Sequence, residues 1–147
     1  MIRVQREDFE LGEEYAALSR SHQAGAVVTF VGKVREMNQG EAVSGMTLEH
    51  YPGMTEHSLA QIVEEAHRRW PLLECRVIHR VGRLELGDQI VFVGVASAHR
   101  EAAFEACHFI MDYLKTRAPF WKKETTAGGE ERWVEAKDSD NRAAEKW

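Results

Sequence analysis

The seven residues Ile90-Val91-Phe92-Val93-Gly94-Val95-Ala96 carry no polar side chain. A run this short, apolar on both faces and rich in β-branched residues, predicts a strand buried on both sides over Gln89–Ala96, the core strand of the molecule. Gly25–Glu36 (GAVVTFVGKVRE) begins in the same way and turns alternating at Lys33 and Arg35, which predicts a buried strand emerging at a charged end. Met46–Tyr51 and Cys75–Val81 are two further strand segments, and Gly87-Asp88 supplies turn chemistry ahead of the core strand. Pro52-Gly53 breaks the chain before a helix in which Leu59, Ile62, Val63 and Ala66 recur at helical spacing. Thr55 is its expected N-cap and Pro71 its stop.

A longer helix follows the core strand, with Ser97 as its expected cap and Ala103, Cys107, Ile110 and Leu114 as its apolar stripe. Phe104, His108, Met111 and Lys115 lie along a neighbouring face. Proline cannot continue a helix and drives its predecessor out of helical geometry. Pro119 therefore places Lys115 in the last turn, with Lys122 and Lys123 on the segment beyond. Phe120–Thr125 and Arg132–Ala136 flank Gly128-Gly129 and read as a hairpin, followed by a polar tail ending in Trp147. Strands and helices do not alternate strictly, so the expected fold class is α+β with a mixed or antiparallel sheet and an additional hairpin, rather than a doubly wound parallel sheet. A length of 147 residues suits one domain over 1–147.

Composition narrows the functions. A formal net charge of -5 argues against a general nucleic-acid binder, which needs a dominant basic face. Cys75 and Cys107 form no CxxC pattern and the seven histidines form no HExxH, so reduced buried thiols are expected, with no metal and no cofactor. The first residues are not an apolar signal segment and no run approaches the roughly 20 apolar residues of a membrane span. The expectation is a cytoplasmic protein without membrane or nucleic-acid partners.

Three basic groups fall at element ends, where sites commonly form. They are Lys33 with Arg35, His99 with Arg100, and Lys115 with Lys122 around Pro119. Amides at a helix N-terminus together with the Arg100 fork suit a phosphate, although Arg100 could equally pair with Glu101. An amine beside apolar surface and other cations loses its proton more readily, which suits Lys115 to nucleophile or base chemistry. The structural alternative is a lysine stem packed on Met111 with its charge in water. Phe120 and Trp121 could wall a heterocycle pocket or belong to the core. His50, His57, His67 and His79 carry no spacing signal and are read as ordinary histidines. His99 and Lys115 stand 16 residues apart on one helix, roughly 24 Å at 1.5 Å per residue, so a small ligand held by both requires two subunits.

Four segments, GAVVTFVGKVR at 25–35, TLEHYPGMTE at 47–56, GDQIVFVGVASAHR at 87–100 and FIMDYLKTRAPFWKKE at 109–124, resemble the large, catalytic subunit of molybdopterin synthase, the MoaE family. The resemblance implies an α/β hammerhead fold with additional β structure and a sulfurtransferase of molybdenum-cofactor biosynthesis. Its reaction would convert cyclic pyranopterin monophosphate, precursor Z, into the dithiolene of molybdopterin by inserting two sulfur atoms. The implied donor is a small ubiquitin-like subunit with a C-terminal Gly-Gly thiocarboxylate, in a heterotetramer built on a homodimer of large subunits. By matching position, Lys115 resembles the family's essential lysine and Lys122 its second active-site lysine. Lys33, Val34, Arg35, His99, Arg100, Lys122, Lys123 and Glu124 match stretches that line the pterin and phosphate pocket, with Phe30 and Met111 as apolar neighbours. Lys137 stands where the family often has an arginine, and a lysine loses bidentate phosphate contact there. Outside this resemblance the alternatives are a non-catalytic anion-binding or adaptor module and a phosphate-ester hydrolase using Arg35 and Asn38.

Overall fold

The structure is a computed structural model that describes the chain except residues 39–40 and 135–137. A four-stranded mixed sheet is formed by β1 (Ile2–Gln5), β5 (Leu72–Arg80), β7 (Gln89–Ser97) and β2 (Ala26–Lys33), in that spatial order. β1 runs parallel to β5, whereas β5–β7 and β7–β2 are antiparallel. The central strand β7 is buried from Val91 to Ser97, as its two-faced apolar run predicts. Helices α2 (Met54–Arg69) and α3 (Arg100–Arg117) cover one face of this sheet. There Leu59, Ile62, Ala66, Phe109, Ile110 and Leu114 pack on Cys75, Val77, Val91, Val93 and Val95. On the other face Leu18 of α1 (Leu11–Leu18) and Phe9 pack on Ile78 and Phe92. Glu14 fixes α1 to the sheet by accepting from Arg3 at 2.9 Å and Arg76 at 2.8 Å.

A second, antiparallel sheet has the order β3 (Met37–Asn38), β4 (Glu41–His50), β8 (Phe120–Thr126) and β9 (Glu131–Val134), with β6 (Gly82–Glu85) also paired to β4. The expected hairpin is β8–β9, turning at Gly129 with φ 86°. A short helix α4 (Asp138–Glu145) occupies the tail read from sequence as merely polar. Its anchor is the last residue. The Trp147 indole N–H donates to Asp112 Oδ2 at 2.6 Å, Arg69 donates to the Trp147 carbonyl at 2.7 Å, and the ring packs edge-on against Trp70 and Phe109. Among the described residues no helix is long and apolar enough to cross a membrane.

Two helix starts differ from the sequence reading. Ser97 is the last residue of β7 and donates to the Pro71 carbonyl at 2.9 Å, so it is engaged across the sheet, and His99 takes the N-cap position of α3. Gly53, at φ 84°, is the N-cap of α2 in place of Thr55. Thr55 still closes the turn from inside the helix, its hydroxyl donating to the Tyr51 carbonyl at 2.9 Å and accepting from the Tyr51 N–H at 3.1 Å. Extended backbone at His99 enters α3, whereas α2 begins from the left-handed conformation of Gly53, and neither N-cap residue makes a side-chain capping hydrogen bond.

Burial pushes the thiols of Cys75 and Cys107 up to about 12, far from thiolate chemistry at neutral pH. Neither is expected to react with a disulfide reagent in the folded protein, and both are expected to react within the same assay in denaturant; labelling of the native chain would contradict this burial. Gly25 lies against the Ala98 carbonyl oxygen, into which any Cβ would collide. Gly25→Ala should therefore cost about 1–3 kcal/mol in a urea titration, because backbone rather than a movable side chain must give way.

Candidate active site

The path from α3 into β8 builds the site. Helix α3 ends at Arg117, Ala118 leaves helical geometry at φ -87° and ψ 136°, and Pro119 passes the chain directly into β8. Alternation along β8 then separates neighbouring side chains. Phe120 and Lys122 line a cavity, whereas Lys123 lies on the outer face, 3.3 Å from Glu131 and over the Trp133 ring. Lys115, exposed in the last turn of α3, lines the same cavity. The space measures about 200 Å³ and is lined as well by Met46 and Leu48 of β4, His79 of β5, Ile90 of β7, Val134 of β9 and Asp140 of α4. Two ammonium groups thus share one pocket, in which Asp140 is the carboxylate among the lining residues. Glu124, on the same face of β8 two residues beyond Lys122, is fully buried and lies directly across the β8–β9 ladder from Arg132.

His79 was read from sequence as an ordinary histidine, and the structure places it in the cavity wall. It ends the inward-facing row Cys75, Val77, His79 of β5, stacks on Phe120 with ring centroids 3.9 Å apart, and its Nδ1 lies 2.8 Å from the Arg80 carbonyl. That carbonyl can only accept, so Nδ1 carries the proton and donates. Burial lowers the pKa of the ring to about 4, the Arg80 bond opposes this, and the charges of Lys115 and His50 lower it further. His79 is thus a neutral imidazole beside lysines. The available signal was a single histidine completing an otherwise apolar alternation.

The other sequence candidates fall in two places. Lys33, at the exposed end of β2, pairs with Gln89, and Arg35 follows it on the surface. Val34 between them is buried with Met46, Leu48 and Leu84, two of which line the cavity, and its N–H donates to the Asp88 carbonyl at 2.9 Å. This segment therefore backs the wall behind Lys122. Met111 is half-buried on the main core, and Phe30 lies 40% exposed on the edge strand β2. His99 and Arg100 are exposed at the start of α3, at the opposite end of the helix from Lys115, and do not line the cavity. Lys137 falls outside the described residues, and the side chain of Asn38 is likewise not described.

Three comparisons place this arrangement among known proteins. The family model described as "MoaE protein" matches residues 4–117. The molybdopterin synthase catalytic subunit of Vibrio cholerae is 63% identical over 146 residues, which span 99% of this chain and 97% of that protein. The solved structure of the molybdopterin biosynthesis MoaE protein from Burkholderia ambifaria superposes with a TM-score of 0.85 at 53% identity, covering 100% of this chain and 97% of that one. The fold alone is also shared with a chain of the protein–protein complex of subunits 1 and 2 of the molybdopterin-converting factor from Helicobacter pylori. There the TM-score is 0.73 at 18% identity, over 93% of this chain and 90% of that one.

The buried imidazole makes stability depend on pH. An unfolded chain protonates His79 near 6.5 and the folded chain near 4, so between these values the unfolded state holds the extra proton. Stability is accordingly lost as pH falls through this window, by about 3 kcal/mol from this residue. Urea titrations at pH 7 and pH 4.5 should show a smaller loss for His79→Phe than for the unaltered chain, and equal losses would exclude a neutral buried ring.

Proposed function

The chain belongs to the MoaE family, and we propose that it is the catalytic subunit of a molybdopterin synthase, transferring two sulfur atoms to cyclic pyranopterin monophosphate to form the dithiolene of molybdopterin. The observation that carries this reading is the convergence of Lys115, from the end of α3, and Lys122, from β8, on one cavity. Two ammonium groups held on rigid elements suit a reaction whose donor is a thiocarboxylate and whose intermediates develop oxyanions. The sulfur arrives on the C-terminal Gly-Gly of a small ubiquitin-like partner, whose side-chain-free end passes through a narrow mouth. Cys75 and Cys107, buried and held as thiols, take no part. The enzyme works in the cytoplasm.

Phosphate recognition divides between two subunits. Val34 packs behind the cavity wall with Lys33 and Arg35 exposed on either side of it, whereas His99 sits about 24 Å from Lys115 along α3, with Arg100 beside it. A homodimer of large subunits that sets one chain's α3 start against its partner's cavity completes the pocket, and a small subunit on each gives the heterotetramer. Arg35 then grips the phosphate from one side with His99 and Arg100 from the other, a use for which forked guanidinium groups are suited. Lys122, Lys123 and Glu124 contribute differently. Lys122 faces the reacting atoms, Glu124 is buried on the Lys122 side of the strand, and Lys123, on the outer face, takes the rim.

Incubation with precursor Z and the thiocarboxylated small subunit should yield the dithiolene, and its absence would favour a non-catalytic anion-binding module. Lys115→Ala should lower product formation at least about 100-fold while leaving small-subunit binding within a few-fold. Retained activity would remove Lys115 from the chemistry. Mixing Lys115→Ala with His99→Ala chains should restore part of the activity through hybrid dimers that contain one intact pocket. Failure to complement would contradict a pocket shared between subunits.

A further inference from the structure

We propose that His79 is a positioning residue for Lys115, its locked and neutral ring presenting Nε2 as the acceptor that draws the lysine ammonium over the reacting atoms. The inference builds on the proposed sulfur transfer, but its geometry stands independently. Three features fix the ring. It is buried at 5% exposure, its Nδ1 is held 2.8 Å from the Arg80 carbonyl, and its face stacks on Phe120 at 3.9 Å and 19°. With Nδ1 engaged as donor, the remaining polar atom is Nε2, a lone-pair acceptor on a ring that lines the cavity with Lys115 and Lys122.

Lys115 stands at the end of its helix, and its four-carbon stem carries the ammonium into the cavity that it lines with His79. A fixed neutral acceptor in the cavity wall favours an inward ammonium without cancelling its charge, as a carboxylate would. The charges of Lys115 and His50 favour the neutral ring, whereas the Asp140 carboxylate in the same cavity has the opposite sign. Lys115 of α3, Lys122 of β8 and Asp140 of α4 share its cavity, and His50 of β4 adds to the electrostatic pressure against protonation. The Arg80 guanidinium turns away to the carbonyls of Arg6 and Gln89, both at 3.0 Å. His79 acts through Lys115 and forms no bond with substrate.

The test pairs a titration with kinetics on the complete synthase. In His79→Phe, which keeps a ring against Phe120 and removes both nitrogens, the Lys115 titration midpoint followed by carbon-13 NMR of labelled lysine should fall by roughly half a pH unit or more. The rate constant for dithiolene formation should fall roughly 10- to 100-fold, with KM for precursor Z and affinity for the small subunit little changed. His79→Gln, which restores an acceptor near the Nε2 position, should recover most of that rate. Should His79→Phe not fold, His79→Asn carries the same test, because it keeps a donor for the Arg80 carbonyl and lacks the distal acceptor. An unmoved Lys115 midpoint, or equal losses in the Gln and Phe variants, would overturn the proposal. Absence of product from the unaltered protein would refute the sulfur-transfer reading alone, since the Lys115 titration still decides the role of His79.

Discussion

Burial of β7 on both faces is the constraint from which the rest of the architecture follows. Phe92, Val93, Val95 and Ala96 have no solvent exposure, and a strand of this kind is stable only with cover on each side. Helix α3 supplies much of one cover. Its 18 residues span about 27 Å, close to the roughly 30 Å of the nine-residue strand. Because α3 begins just after β7 ends and runs back along it, its C-terminal turn returns over the start of the strand. Lys115 therefore reaches the cavity lined by Ile90, while His99 and Arg100 are left at the far end. The separation of the basic groups is thus a consequence of core packing. It could not be removed without shortening the helix and uncovering the strand.

The second sheet adds what the first cannot. A strand shows alternate residues to opposite faces, so the pair Lys122-Lys123 is divided as soon as β8 forms. Pairing of Leu48 with Lys122 and of His50 with Phe120 sets which residue faces inward, since Met46 and Leu48 on that face of β4 are buried and apolar. Pro119 ensures that no further helical turn intervenes between Lys115 and this strand. Two lysines seven positions apart in sequence thereby meet in one space, with the register of β4 and β8 fixing the depth of the second.

Much of this was legible because it depends on local pattern. The two-faced run of β7, the helical stripes of α2 and α3, the hairpin about Gly128-Gly129 and the stop at Pro119 are all short-range signals, and each corresponds to an element of the structure. The illegible parts depend on partners distant in sequence. β1 and β6 are four-residue strands that exist through pairing with β5 and β4, and α4 is a polar segment held by Trp147 against Asp112 and Trp70. Ser97 resembled a cap because its tertiary acceptor, the Pro71 carbonyl, lies 26 residues away. The sites differ in the same way. Lys115 and Lys122 were visible around the proline, whereas His79 acquires its character from Phe120, Lys115 and the depth of the sheet.

That character bears on how the cavity tolerates its own charge. Two ammonium groups that share one cavity repel each other, and a third cation in its wall would compound this. A buried imidazole relieves the conflict because its charged form is the one that burial and the lysines both disfavour. A carboxylate at the same position would also relieve repulsion, but it would neutralise the field on which an incoming anion depends. Asp140, on a helix tethered at Trp147, offers that countercharge from the margin. The wall beneath the lysines stays neutral, so the positive potential remains directed at the open space where an anionic tail or phosphate would enter.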